Sequence, residues 1–410
     1  MPFAPPRSVL LLLASLGAAC SAEEQPAQFT AADSAGVRVV SHETLDDLPL
    51  RSFAADTPEV RLGSAMGDPA EVLDRVTAGW VLPDGQMILL HTGTTQVRFY
   101  DSTGALIAIQ GQEGQGPGEY VFPSALFVTR GDSLLVWDAG LARASLLSPD
   151  GQFIRGIALS GQLVSPRVAG TFADGSLVVV DATLDLEMGS SIQTQIGKDL
   201  SYSNEGEFED SLGSYPGRSA QLMKDGQPVT QFGPEDMVQI RPVAFSGETQ
   251  RAVTGNGYWI GTTKARELEF HDTSGALKTI TRWPGGSLDV TEADKDAYVH
   301  ERVSQAPSDE AQTAIRAAGV DGFEFAPTLP AHGPLLIDAA GNLWVSDFVR
   351  PENFDPVRWT VFGPDGAATA QVGLPSYATL LWAGTDKVLV RITDEIGIEY
   401  VELWKLGPVG

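Results

Sequence analysis

The stretch LFVTRGDSLLVWDAGLARASLLSPDGQFIRGI, residues 126–157, decides the fold. It places β-prone runs on either side of a Gly-Asp pair and again on either side of Pro-Asp-Gly. Such pairs supply the positive φ that two-residue or bulged turns need, so the stretch reads as two consecutive hairpins. Two hairpins in series make a four-stranded antiparallel sheet. The first half recurs as WVLPDGQMILLH (80–91), GTFADGSLVVVD (170–181), RAVTGNGYWIGTT (251–263), LLIDAAGNLWVSD (335–347) and LLWAGTDKVLVRIT (380–393). Behind most copies stands a second hairpin, as in VRFYDSTGALIAI (97–109), LEFHDTSGALKTI (268–280) and WTVFGPDGAATAQV (359–372).

Six evenly repeated four-stranded sheets predict an all-β fold, a six-bladed β-propeller, in which radial packing buries both faces of every blade. The ends of the repeat agree with a closed ring. IEYVELWKLG (398–407) offers a third strand with no turn after it, and SFAADTPEVRLG (52–63) precedes the first full unit. An early strand is therefore expected to complete the final blade.

GQEGQGPGEYVFP (111–123) lies between one unit and the next. A phosphate-cradling loop needs a strand before it, a helix after it and a Gly-Lys-Ser ending, and none of these is present. Glycine and proline here let the chain turn from an outer strand back toward the axis, a joint rather than a nucleotide site. RLGSAMGDPAEV (61–72) and TQFGPEDMVQIRP (230–242) look like its relatives.

With 27 basic against 53 acidic residues the formal charge is -26, and no basic stripe exists for nucleic acid, which is excluded as a partner on that ground. The opening MPFAPPRSVLLLLASLGAAC has one positive charge at Arg7 and an apolar run from Val9 to Leu16, too short to span a bilayer, so it reads as an export signal. The lone cysteine, Cys20, follows Gly17-Ala18-Ala19 and resembles the lipidated cysteine of a bacterial lipoprotein signal; ordinary cleavage near Ala22 is the other reading. Residues 1–20 are then the signal, 21–35 a flexible tether and 36–410 the propeller, anchored to a membrane only through lipid. A monomer at the bacterial cell envelope, at the outer membrane or facing the periplasm, is expected.

GQGPGEYVFPSALFV, the Asp-x-x-x-x-Arg of DAGLAR (138–143) and DAAGNLWV resemble NHL-type six-bladed propellers of the TolB-like superfamily. With DSAGVRVV (33–40) and DEIGIEYVELWKL (394–406), they resemble more narrowly the bacterial six-bladed β-propeller lipoproteins. The resemblance covers about residues 33–407. It implies architecture and carries over no catalytic residue.

Extra length concentrates on the face formed by the joints and by the loops after each first hairpin, where function tends to sit in repeat scaffolds. Insertions are expected over about 198–240 and 284–334, with a long loop at 347–358. Within 284–334, Thr291 with Asp294 signals a helix to about Ser304, and Ser308 with Asp309 and Glu310 signals another stopping at Gly319. The pair is expected to lie over the channel mouth, as a plug over apolar walls or as a lid over a pocket. Asp138, Asp181 and Asp347 end the second strand of three units, with His91 at the matching place in the first. They could form a calcium-binding ring of carboxylates, or they could accept backbone N–H groups in the turns. No cofactor is firmly predicted, and calcium is the one considered. Together with Glu119 and Arg350, these aspartates are the candidate binding residues of the loop-rich face, and Arg98 and Arg143 are expected to pair locally.

Enzyme signatures are missing. There is no Gly-x-Ser-x-Gly elbow, no zinc-helix second histidine after His300-Glu301 and no EF-hand loop, and there are five histidines in all. The leading expectation is a non-catalytic binding module for a peptide, a glycan or an envelope protein. The alternatives are a calcium-dependent hydrolase of the lactonase type and a structural role in an envelope complex.

Overall fold

The computed structural model describes residues 29–64, 71–187, 189–231 and 236–408. Cys20, the signal and the first part of the expected tether lie outside these residues.

Strand is the main regular structure of the described residues, arranged as six sheets. Sheet 1 runs in chain order through Val76–Val81, Met87–His91, Gln96–Tyr100 and Leu106–Gln110, and sheet 2 through Pro123–Val128, Leu134–Asp138, Arg143–Leu147 and Phe153–Ala158. Sheets 3, 4 and 5 repeat this four-strand antiparallel core, beginning at Pro166–Thr171, Gln250–Thr254 and Leu335–Ile337. Sheet 6 begins at Ala378–Ala383. The second strand of each repeat is the most apolar, and MILLH and LLVWD are wholly buried because both faces of these strands pack against neighbouring sheets. Separate apolar clusters fill the spaces between adjacent sheets, for example Leu90, Phe99, Leu126 and Val136 between sheets 1 and 2. The six first strands share one interior channel of about 290 Å³, to which Thr77, Leu126, Ala169, Val253, Leu336 and Leu380 each contribute from a different sheet. Radial sheets around a common channel are the propeller architecture.

Closure is non-covalent, as the leftover strand halves predict. Val60–Leu62 pairs antiparallel with Glu399–Lys405 and becomes the fourth strand of sheet 6. The segment before it does more than tether. Phe29–Ser34 and Val37–His42 form a hairpin whose second strand pairs in parallel with Leu277–Arg282 at the edge of sheet 4, and Leu50–Arg51 pairs in parallel with Ala368–Leu374 at the edge of sheet 5. The N-terminal stretch thus covers the outer edges of two sheets and completes a third, leaving the short, exposed Phe29–Ser34 as the outermost strand beside sheet 4. The reading of residues 21–35 as tether is corrected for 29–34. That strand is exposed at nearly every position, so it lacks the buried face that betrays a strand in sequence.

A second correction concerns the stretch read as a swollen joint over 198–240. It is largely the outer hairpin of sheet 3, Ile192–Tyr202 with Phe208–Lys224, whose register shifts at three places and so scrambles the period-two pattern. The helices stand where their caps put them: α1 spans Glu292–Ser304 with a Thr291/Asp294 capping box, and α2 spans Asp309–Ala318 with Ser308 as N-cap and Gly319 after it. No residue of 284–334 lines the channel. The insertion is held instead by an aromatic cluster in which Phe245 meets Tyr298, Phe325 and Phe348, and by a backbone bond from Ala244 N–H to Glu324 O (2.7 Å).

Candidate functional site

Sheet 2 explains the device from which the site is made. Asp138, fully buried at the end of the second strand, accepts the N–H groups of Val121 (2.7 Å), Phe122 (3.0 Å) and Leu141 (3.0 Å). Arg143 faces it across the ladder and donates to the carbonyls of Gln115 (2.9 Å), Gly116 (2.6 Å) and Glu119 (3.0 Å). Carboxylate and guanidinium together clamp the backbone of the glycine-rich stretch, one taking its donors and the other its acceptors. Glu119 closes the same loop by accepting from the Gln112 amide (2.8 Å) and Gly116 N–H (2.8 Å), and those bonds hold its carboxyl below the usual range. A Cβ on Gly114 would overlap that carboxylate and push it out of its hydrogen bonds. Asp181 repeats the pattern in sheet 3, accepting from Val164 N–H (2.9 Å) and Ser165 N–H (2.8 Å). Arg98 clamps the joint before sheet 1 through Val72 O (2.9 Å).

Asp138 and Glu119 are therefore scaffold residues of one joint and Asp181 of the next. Among the described residues, no three His, Cys, Asp or Glu side chains come together as a metal would need. His91 is buried with neither ring nitrogen hydrogen-bonded, and burial pushes its imidazole down to about 3.

Asp347 departs from the pattern. It follows Ser346, the partner of Trp359, and donates its N–H to Arg358 O (2.8 Å), so Asp347 and Arg358 are the sheet 5 counterparts of Asp138 and Arg143. Asp138 binds the amides 17 and 16 residues before it. At that spacing before Asp347 stand Pro330, which has no N–H, and Ala331, whose N–H already donates to Thr263 O (2.7 Å). Among the described residues, neither the Asp347 carboxylate nor the Arg358 guanidinium makes a hydrogen bond or a contact ion pair. The insertion between sheets 4 and 5 has replaced the short joint that would have used them.

The pair opens instead into a cleft of about 630 Å³ on the joint face. Its walls bring together Asp347, Arg350, Arg358 and Arg266 with Trp283 and Phe348, and Glu43 and Asp46 reach its rim from the N-terminal stretch. Arg266 lies over Gly285, where a Cβ would overlap the guanidinium, and donates to Gly286 O (3.0 Å). Arg350 pairs with Asp294 of the α1 capping box (2.7 Å), so the loop after the second strand is tied to the helix. Asp347 and Arg358 are both exposed to solvent at the wall of this cleft. Burial raises its carboxyl above the ordinary value against the opposing pull of Arg358 and Arg266. Thr360 and Gln371, both buried, also line the cleft.

The sequence reading thus placed Asp347 and Arg350 in one site and missed Arg266, Arg358 and Trp283. The signal for Arg358 was available: Val-Arg-Trp-Thr-Val-Phe-Gly-Pro-Asp-Gly aligns with Ala-Arg-Ala-Ser-Leu-Leu-Ser-Pro-Asp-Gly of sheet 2. Arg266 and Trp283 had none, because they flank the site from the neighbouring sheet.

No protein-family model matches the chain, and no curated protein matches it. Solved structures similar to it include a Bacteroides fragilis protein described as exported, at 12% identity and TM-score 0.46, covering 90% of this chain and 99% of that one. A DUF4221 member from Bacteroides vulgatus follows at 9% and 0.44, covering 86% and 98%. Regucalcin of Agrobacterium tumefaciens stands at 12% and 0.38, covering 87% and 96%. At these values the likenesses carry no argument about chemistry.

Proposed function

We propose that this chain is an exported, lipid-anchored six-bladed propeller of the NHL-like kind that works at the cell envelope as a non-catalytic binding module, with the Asp347–Arg358 cleft as its site. One observation carries the reading. A charged pair that elsewhere in the molecule is consumed by the scaffold is free here and faces a cleft. Both side chains are exposed at the cleft, so a ligand can reach them without breaking any hydrogen bond within the protein. Two further arginines and two aromatic side chains suit a partner with acceptor groups and a flat or apolar part, such as a peptide, a glycan or a segment of an envelope protein.

The test is thermal unfolding of the protein with a panel of short peptides and of acidic and neutral oligosaccharides, wild type beside Arg358→Gln, with each ligand recovered and checked for change. A true ligand at a hundred times its Kd stabilises by about 2.7 kcal/mol, and that gain disappears in the variant. A panel with no responder, an equal response from Arg358→Gln, or a cleaved ligand sinks the proposal.

A further inference from the structure

The clamp in sheet 2 also says what its free counterpart is built to hold. Asp138 and Arg143 bind a segment of polypeptide by its backbone alone: the N–H groups of Val121 and Phe122 to the carboxylate, three carbonyls to the guanidinium. Asp181 does the same with two consecutive amides in sheet 3. In sheets 2 and 3 the aspartate holds the main-chain amides 17 and 16 residues before it, and in sheet 2 the facing arginine takes the carbonyls of the same segment. In sheet 5 the acceptor and the donor fork are kept in the same register, the internal occupant is absent, and a cleft stands where it would have lain.

We infer that the cleft takes a peptide main chain, presented as an extended or glycine-rich segment, with two successive N–H groups on Asp347 and carbonyls on Arg358. This rests on the cleft being a binding site, and it narrows the partner to polypeptide. Backbone recognition demands a segment free of proline at the two amides bound by Asp347. Small residues on either side let the chain lie close to the sheet end, as Gly114 and Gly116 do in the internal case. The neighbouring Trp283 and Phe348 would then receive a side chain of that segment, giving side-chain preference on top of a backbone anchor.

The probe is a soluble peptide with the sequence GQEGQGPGEYVFP, capped at both ends, titrated calorimetrically into the full chain. Two relatives of it carry an N-methyl group on the amides corresponding to Val121 or Phe122. Binding is expected for the parent, with a loss of roughly tenfold or more for each methylated peptide and for Asp347→Asn and Arg358→Gln. The methylated peptides act on unmodified protein, so a variant that folds poorly cannot mask the result. Equal binding by parent and methylated peptides overturns the backbone inference. If the peptide fails while an oligosaccharide from the earlier panel binds in an Arg358-dependent way, the peptide class is wrong and the binding site stands. If nothing binds, both readings fall.

Discussion

Two aspartates at the same strand position make opposite contributions to stability. Asp138 leaves three backbone donors stranded if removed, and a buried donor without a partner costs about 1–3 kcal/mol. Asp138→Ala should therefore cost about 3 kcal/mol in urea unfolding, allowing for partial hydration of the freed amides. Asp347 runs the other way. Its folded-state value is raised from 3.8, so the folded protein holds the proton more tightly than the unfolded chain, and ionising the group above that pH works against the fold. Asp347→Asn should accordingly raise the unfolding midpoint at pH 7, and the advantage should close as the pH falls below 3.8, where the wild-type group is protonated in both states. Ligand affinity should move the opposite way, weakening in wild type as acid neutralises the carboxylate. A destabilised Asp347→Asn at pH 7 would show that the carboxylate is already satisfied by the protein. The sequence made the position of Asp347 legible through the repeat. Its freedom was not legible, because that depends on Pro330 and on the Thr263 carbonyl, which the fold alone brings near.

Hairpins and capped helices could be read because their signals are local. Asp-Gly turns and buried apolar strands marked the inner three strands of nearly every sheet, and Thr291/Asp294 and Ser308 marked where both helices begin. Elements without a regular buried face were opaque. Phe29–Ser34 is an exposed strand held by its hairpin partner Val37–His42, which itself docks on the rim of sheet 4, and Ile192–Tyr202 with Phe208–Lys224 keep pairing through three register shifts that no period reveals. The N-terminal elements separate experimentally. A chain beginning at residue 48 loses the edge cover of sheet 4 but keeps Val60–Leu62, so it should unfold cooperatively near the wild-type midpoint while scattering more light as its bared edge finds partners. Beginning at residue 64 removes Val60 and Leu62 from the cluster they share with Val401 and Leu403. Loss of that strand should lower the midpoint by about 10 °C, the consequence of several kcal/mol of lost core in a domain of this size. Equal midpoints for the two truncations would mean that the ring does not depend on Val60–Leu62 for closure.

For the molecule as a whole, the formal charge of -26 makes a cation an obvious partner, and carboxylates at strand ends make calcium the obvious cation. The placement of charge argues against a calcium site at these residues. Asp138 and Asp181 are spent on separate joints, each turned toward amide donors. Asp347, the one with free lone pairs, shares its cleft with Arg266, Arg350 and Arg358, whose guanidiniums raise the potential where a cation would sit. Thermal unfolding in chelator and then in 1 mM calcium should therefore give the same midpoint to within about 1 °C. A site with a Kd of about 10 μM would add about 2.7 kcal/mol at that concentration, a rise too large to miss in a chain of this length. Such a rise, abolished by Asp347→Asn, would mean that the cleft collects cations despite its arginines, and would bring the lactonase-type hydrolase forward in place of the peptide-holding clamp.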